Sequence, residues 1–282
     1  MRSTGSARVR RRAQVPSSQK ARAARFSSGT VTGGRATFSV VVIDAWVFDT
    51  DGILTDCASA HVRAWSITFE QFFASPAADV LDLGDRRPFQ GSDDYRPHLD
   101  GISRREGIRR FLRSRGAEER EGNDFEMVVV ALAQQKHDHY RRILDSGTVS
   151  SYRDVPGCLE RLRRLGCRLG VVSASENTRP LLSLLGLDSS FDVCVDGCDM
   201  IAEELPDKPA PAALLRASEL LDTPPERTGV VVSTVDGARA GRAGGYGRVI
   251  GVIRDDGPTT WGPQGALTAH VEVVISSLDE LR

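Results

Sequence analysis

The chain has 282 residues, 40% of them hydrophobic, which is enough for one large domain or two smaller ones with a sizeable core. Its 37 basic and 38 acidic residues leave a net charge of −1, so composition gives no reason to expect a nucleic acid or an anionic membrane as partner. No segment approaches the roughly 18 consecutive apolar residues of a membrane-spanning helix.

The first 36 residues differ from the rest in charge. They contain nine basic and no acidic residues, so the remainder carries 28 basic and 38 acidic residues and a net charge of −10. This tail is rich in Arg and Ser and lacks the apolar core of a signal peptide, a composition also typical of organelle transit peptides. We expect residues 1–36 to be a disordered extension or sequence upstream of the true start codon, with a transit peptide as the alternative.

Beyond the tail, short apolar segments alternate with helical patterns. Leu159, Leu162 and Leu165 share one face of a predicted helix, and residues 210–221 are a strong helix former. Continuous apolar strands separated by helices predict an α/β fold with a Rossmann-like parallel sheet covered on both faces. The predicted strands are residues 41–48, 168–173, 191–195, 229–233, 248–253 and 271–275.

Residues 58–150 interrupt this alternation with helical patterns and no convincing strand. Apolar and aromatic residues recur at helical spacing in residues 62–73 and again in residues 125–132. A helical insert after the first strand predicts a cap over the carboxyl edge of the sheet, where ligands bind in such folds. We therefore expect a core of residues 37–57 and 151–282 and a helical cap of residues 58–150.

The cysteines predict a reducing environment. Their number is odd and no pair has CxxC spacing, which favours free thiols and a cytoplasmic location. Most free cysteines are ordinary core residues, and we expect the same here. The five are Cys57, Cys158, Cys167, Cys194 and Cys198.

Two acids follow the first strand closely, in the segment VFDTDGILTD. Carboxylates at such a spacing repel each other unless a cation or a shared chemical role holds them. The strand ending in VVSAS supplies the hydroxyl of Ser173, and DKPAP places Lys208 just before a helix. Asp49 could attack phosphorus and form an aspartyl phosphate, and Asp51 could transfer the proton.

The remaining groups suit the same chemistry. Ser173 and Lys208 could hold the equatorial oxygens of a phosphoryl group as charge develops on them. A Mg²⁺ ion would offset the repulsion between Asp49 and an incoming phosphate. The pattern therefore predicts phosphoryl transfer.

These three segments, in this order and with a helical insert after the first, resemble the first three motifs of the haloacid dehalogenase superfamily. From about residue 40 to the end the chain is most similar to its β-phosphoglucomutase-like branch. The segments DYRPHLDG and FDVCVDG resemble an actinobacterial subgroup of that branch. The resemblance implies Mg²⁺-dependent transfer on a hexose phosphate, from β-glucose 1-phosphate to glucose 6-phosphate.

The resemblance also implies roles for cap and loop residues. His61, in the segment HVRAW, would couple cap closure to proton transfer. Arg104 would bind the distal phosphate, and Lys136 would lie at the sugar. Each of the three could instead be an ordinary helix or surface residue. The implied substrate-binding residues are His61, Trp65, Arg104, Lys136, Ser175 and Asn177.

The chain departs from the superfamily at the fourth motif. That motif normally ends a strand with adjacent acids, one of which binds Mg²⁺, and here Val232 and Ser233 take their places. Asp51 would contribute its backbone carbonyl, as the resemblance implies, and Asp49 its carboxylate. Asp236 is the nearest other acid; it could be a metal ligand, directly or through water, or the N-cap of the following helix.

Three functions remain open at this stage. The first is a sugar-phosphate mutase with an altered metal site, the second is a sugar-phosphate phosphatase, and the third is an impaired homologue that binds sugar phosphates without turnover. The expected partner is a small sugar phosphate, with neither nucleic acid nor membrane, and we expect a monomer.

Overall fold

The computed structural model describes residues 25–27, 40–117, 124–254 and 264–281. A six-stranded sheet has the order β5-β4-β3-β6-β7-β8, and every neighbouring pair in it is parallel. The predicted α/β fold is confirmed. Its strands are β3 (Ala45–Asp49), β4 (Arg168–Val172), β5 (Val193–Val195), β6 (Thr228–Val232), β7 (Arg248–Val252) and β8 (Val273–Ile275).

The prediction of one strand over residues 41–48 was wrong. Val40–Val42 forms β2, which pairs antiparallel with β1 (Arg25–Ser27), and only Ala45–Asp49 enters the large sheet. Both strands are apolar, so composition alone does not show where one ends and the next begins. They are distinguished by the strands with which they pair. Arg25–Ser27 is also a strand inside the predicted disordered tail. Residues 1–24 and 28–36 of that tail lie outside the described part of the chain.

The two faces of the sheet are covered because side chains alternate along each strand. Trp46 and Phe48 of β3 pack on one side, in a core shared with α5 (Val155–Arg164) and α6 (Thr178–Leu184). Ala45 and Val47 pack on the other side. That second core includes residues of α7 (Gly197–Ala202), α8 (Ala212–Leu220), α9 (Val235–Ala243) and α10 (Gln264–Thr268).

One predicted core position is exposed. Leu165 follows the last residue of α5 and is 36% exposed, whereas Leu159 and Leu162 are buried. The helix ends before Leu165 can turn back to the sheet.

Between β3 and β4 the chain forms a helical block with a core of its own. In that core the rings of Phe69 and Phe111 lie 4.0 Å apart. Arg115 is buried there, and its guanidinium donates to carboxylate oxygens of Asp94 and Asp85, each at 2.8 Å. The helices are α1 (Ala58–Phe73), α2 (Gly91–His98), α3 (Arg104–Ser114) and α4 (Phe125–Asp145).

Short 3-10 helices complete the described structure, at Pro76–Leu81, Asp188–Ser190, Pro225–Arg227 and Leu278–Glu280. None of the helices in the described ranges is both long and apolar enough to cross a membrane. All five cysteines are free, as predicted.

Candidate active site

The candidate site lies where three neighbouring strands end. β3 pairs with β4 and β6, so the ends of these strands meet at one edge of the sheet. Asp49 is the last residue of β3, Ser173 follows β4, and Ser233 follows β6. The parallel register therefore brings together three residues that are between 60 and 184 positions apart in the chain.

Asp49 forms a buried salt bridge with Lys208. Each side chain is about nine-tenths buried, so neither charge is well solvated and each depends on the other. Gly237, in the first turn of α9, comes very close to Asp49: a side-chain carbon on Gly237 would lie 3.1 Å from Asp49 Oδ2. The missing side chain leaves one face of the carboxylate open.

Asp51 lies in the turn after β3 and faces the helical block. The thiol of Cys57 donates to Asp51 Oδ1 at 2.7 Å, and His61 Nε2 lies 3.4 Å from Asp51 Oδ2. Burial raises the pKa of the Asp51 carboxyl, and the nearby charge of Asp49 adds to the rise. A carboxyl with a raised pKa holds a proton more readily than an ordinary carboxyl, which favours proton transfer to and from it.

His61 connects Asp51 to Lys136. Lys136 Nζ lies 2.8 Å from His61 Nδ1, and the His61 ring stacks on Tyr140 with centroids 4.1 Å apart. Burial lowers the pKa of His61 well below its ordinary value, and the positive charge of Lys136 lowers it further. A neutral His61 that accepts from Lys136 at Nδ1 carries its proton on Nε2, the nitrogen that faces Asp51.

Lys136 is itself perturbed. It is 4% exposed, and burial lowers its pKa to about 7, with the charge of Arg104 as the next cause. Its ammonium lies 4.4 Å from the centre of the Tyr140 ring and 5.1 Å from that of Trp65. Trp65 and Lys136 thus form one wall of the site.

Arg104, the first residue of α3, reaches across to the sheet edge. Its guanidinium lies 3.3 Å from Glu176 Oε1, donates to the Ala133 carbonyl at 3.3 Å, and lies 3.4 Å from His137 Nδ1. Ser103 beside it donates to Asp207 Oδ2 at 2.6 Å. The contacts of Arg104 with Glu176 and of Ser103 with Asp207 join the helical block to the sheet side, whereas Ala133 and His137 belong to the block itself.

The loop after β4 is held by its own hydrogen bonds. The Ser175 amide donates to Ser173 Oγ and the Asn177 amide donates to Ser175 Oγ, both at 3.2 Å. A side-chain carbon on Gly197 would lie 2.5 Å from the Ala174 carbonyl oxygen, so this loop rests directly on the start of α7. The hydroxyls predicted to bind a phosphoryl group are therefore fixed in place.

These groups surround a small cavity. Its volume is about 60 Å³, which has room for only a few water molecules. It is lined by Asp51, His61, Trp65, Arg104, Lys136 and Ser175, among others. A second cavity of about 380 Å³ lies on the other side of the Asp51 turn and is lined by residues that include Gly52, Asp100, Ser233 and Asp236.

The fourth motif differs from its expected arrangement. Ser233 Oγ donates to the Asp51 backbone carbonyl at 2.9 Å. Thr234 is the N-cap of α9 and accepts from the Gly237 amide at 3.0 Å, so the alternative that Asp236 caps this helix was wrong. The N-cap is Thr234, which has an extended backbone and lies two positions before Asp236. Asp236 instead lies 3.5 Å from Arg239.

The oxygen donors present fit a magnesium ion. Asp49 offers a carboxylate oxygen, the Asp51 carbonyl has a second lone pair beyond its bond from Ser233, and the Ser233 hydroxyl lies beside it. Mg²⁺ needs only one or two protein carboxylates when a substrate phosphate supplies the rest. By contrast, Cys57 and His61 next to Asp51 are softer donors.

Four residues of this site escaped the sequence analysis. Cys57, predicted to be an ordinary core residue, hydrogen-bonds Asp51, and Tyr140 stacks on His61. The pKa of Asp100 is raised to about 7 by burial and by the charge of Asp51. Glu176 faces Arg104 from the sheet side. The only signal for them was their position beside predicted residues.

Comparison with known proteins gives the class. Residues 43–245 match the family of haloacid dehalogenase-like hydrolases, so the chain belongs to that family and is an enzyme of its phosphotransferase and phosphatase group. Within it the chain belongs to the β-phosphoglucomutase-like branch. It is 35% identical over 246 residues to the β-phosphoglucomutase of Mycobacterium bovis, covering 85% of this chain and 91% of that protein.

More distant relatives agree with this placement. The β-phosphoglucomutase of Bacillus subtilis is 28% identical over 204 residues, covering 71% of this chain and 80% of the relative. The crystal structure of the Clostridium difficile β-phosphoglucomutase has the same fold, with a TM-score of 0.65 at 22% identity over 86% of this chain and 94% of that one. CbbY from Rhodobacter sphaeroides, solved in complex with phosphate, has a TM-score of 0.64 at 25% identity, covering 85% and 96%.

Proposed function

We propose that this enzyme is a hexose-phosphate mutase that converts β-glucose 1-phosphate to glucose 6-phosphate through an aspartyl phosphate on Asp49. The observation that carries the proposal is the pairing of two buried units at one sheet edge. One is the salt bridge of Asp49 with Lys208, and the other is the chain of contacts from Asp51 through His61 to Lys136. The first suits phosphoryl transfer and the second suits proton transfer.

The proposed reaction has two transfers. The phosphoryl group on Asp49 passes to the 6-hydroxyl of β-glucose 1-phosphate, which gives the 1,6-bisphosphate and frees the Asp49 carboxylate. After the bisphosphate rebinds in the opposite orientation, Asp49 attacks the 1-phosphate. The bond from phosphorus to the sugar oxygen breaks, and glucose 6-phosphate leaves. Asp51 accepts the hydroxyl proton in the first transfer and returns it to the leaving oxygen in the second.

The other residues hold the substrate. Lys208 and the hydroxyl of Ser173 stabilise the transferring phosphoryl oxygens, and Ser175 and Asn177 lie on the same fixed loop. Arg104 binds the distal phosphate, while Lys136 and Trp65 line the sugar side of the cavity. Residues 58–150 act as the cap that closes over this site.

Magnesium belongs to the proposal as well. Asp49 and the Asp51 carbonyl would hold it; Asp236, the third predicted ligand, pairs with Arg239, and we propose no direct contact between it and the ion. When bound, the ion would neutralise part of the charge on the transferring phosphate. Because Val232 and Ser233 stand where the superfamily has acids, we expect Mg²⁺ to bind more weakly than it would to two carboxylates.

The test is incubation of the purified protein with β-glucose 1-phosphate, Mg²⁺ and a trace of glucose 1,6-bisphosphate, followed by phosphorus NMR. Glucose 6-phosphate as product supports the mutase. Inorganic phosphate would assign the enzyme as a sugar-phosphate phosphatase, the second candidate, which shares the aspartyl phosphate. An unchanged spectrum at high Mg²⁺ would favour the impaired binding homologue, for which the substituted fourth motif is the supporting observation.

A further inference from the structure

Arg104 has an anionic partner within the protein itself. Its guanidinium lies 3.3 Å from the carboxylate of Glu176, and its side chain is 11% exposed. It also donates to the Ala133 carbonyl and contacts His137. These contacts engage both terminal nitrogens of the guanidinium, Nη1 with Ala133 and Nη2 with Glu176 and His137, so a phosphate on Arg104 has to displace or share one of them.

The pair joins two parts of the molecule. Arg104 begins α3 in the helical block, whereas Glu176 lies in the loop after β4. That loop is fixed: Thr178 Oγ1 donates to the Ser175 carbonyl at 2.8 Å, and the Gly197 amide contacts the same carbonyl at 3.2 Å. Glu176 is therefore presented from a rigid support, and the helical block closes onto it.

A sugar phosphate cannot enter without disturbing this pair. The cavity beside Arg104 has about 60 Å³, room for a few water molecules and not for a phosphorylated hexose. The helical block must move away from the sheet, which separates Arg104 from Glu176. When it closes again, a phosphate on Arg104 would lie next to the Glu176 carboxylate, and like charges at such a distance repel.

We infer that Glu176 competes with the distal phosphate of the substrate for Arg104 and thereby sets the affinity of the site for phosphorylated sugars. This inference rests on the proposed function, because it takes Arg104 as the distal-phosphate site. Glu176 pairs with Arg104 until the phosphate displaces it. It thereby weakens the binding of bisphosphates, which the enzyme must release and rebind in opposite orientations.

The experiment measures the dissociation constant of glucose 1,6-bisphosphate by calorimetry, in an Asp49→Asn background that prevents turnover. Glu176→Gln keeps the size of the side chain and removes its charge. We expect the dissociation constant to fall about tenfold, since one repulsive charge beside the phosphate is lost. Glu176→Ala, which removes the carboxylate altogether, should also lower the dissociation constant.

Ser103→Ala is the matched control. Ser103 also joins the helical block to the sheet side, through Asp207, but carries no charge. If Glu176 acts only as a mechanical link, Ser103→Ala should tighten binding as much as Glu176→Gln does, and that outcome overturns the inference. So does an unchanged or weaker affinity in Glu176→Gln while the Asp49→Asn reference binds the bisphosphate. If no variant binds it, the proposed function fails together with the inference.

Discussion

Asp49 is the residue on which the proposed chemistry depends. Asp49→Asn keeps an oxygen that can accept from Lys208 but is a far poorer nucleophile than a carboxylate. We expect turnover to fall by at least about a thousandfold, as for other nucleophile replacements. Activity is measured by coupled assay of glucose 6-phosphate and folding by thermal unfolding, which should change little.

Asp56→Asn provides the control for this change. Asp56 is exposed and lies in the same loop, seven residues from Asp49. Its variant should keep nearly full activity. Undiminished turnover in Asp49→Asn would remove Asp49 from the nucleophile role, and equal losses in both variants would indicate a general disturbance of the loop.

Lys136 predicts a pH dependence of stability. Its pKa is about 7 in the folded protein, against an ordinary value of 10.5. Between these values the unfolded chain binds a proton that the folded protein does not, so the free energy of unfolding rises with pH above 7. The charged or titratable groups that face Lys136 are His61 on α1, Asp51 and Cys57 after β3, Arg104 on α3, Tyr140 on α4 and Glu176 after β4.

The measurement compares urea unfolding of the native protein and Lys136→Met from pH 7 to pH 9. The variant lacks the titrating group, so the difference between the two isolates Lys136. We expect the native protein to gain about 2 kcal/mol relative to the variant over this range. A difference that does not change with pH would contradict the lowered pKa.

The connection between β6 and α9 is the element where the sequence predicts a departure from the fourth motif of the superfamily. Ser233 ends β6 on a hydroxyl that bonds the Asp51 carbonyl. Ser233→Asp places a carboxylate there, and we expect the affinity for Mg²⁺ to increase about tenfold, equivalent to about 1.4 kcal/mol. Without Mg²⁺ the variant should be less stable, because the carboxylate then faces the Asp51 carbonyl without a cation.

Asp236→Asn is the comparison for the same element. Asp236 is two residues past the N-cap and pairs with Arg239, so we expect its variant to bind Mg²⁺ within about twofold of the native protein, since exposed pairs contribute little. Calorimetric titration with Mg²⁺ measures both variants. A large loss of affinity in Asp236→Asn would identify Asp236 as a ligand, and no change in either variant would place the metal elsewhere.

Across the whole molecule, sequence predicted what depends on local pattern. Buried parallel strands are continuous apolar runs, and helices carry apolar residues every three or four positions, so the sheet and the helical insert were predictable. The pairing of Arg25–Ser27 with Val40–Val42 was not, because it joins two segments whose contact no local pattern records. The roles of Cys57 and Glu176 depend likewise on partners that only the fold brings near.

At the scale of the whole molecule, the proposed function requires the helical block to open from the sheet and to close onto it again. The site cavity of about 60 Å³ is too small for a hexose phosphate, so the proposed reaction needs an opening and a closing in each turnover. Ser103 Oγ and Asp207 Oδ2 are 2.6 Å apart across the boundary between the two parts. Cysteines at both positions would face each other across this boundary, and a disulfide between them would hold the closed state.

We therefore predict that the double variant Ser103→Cys/Asp207→Cys loses at least about tenfold of its hexose-phosphate turnover when oxidised, because the substrate can no longer enter. Reduction with dithiothreitol should restore it to the level of the variant before oxidation. The native protein, with its five free cysteines, is oxidised in parallel as the control for unrelated thiol chemistry. Full turnover in the oxidised variant, with the disulfide verified by mass spectrometry, would show that substrate enters without separation of the helical block from the sheet.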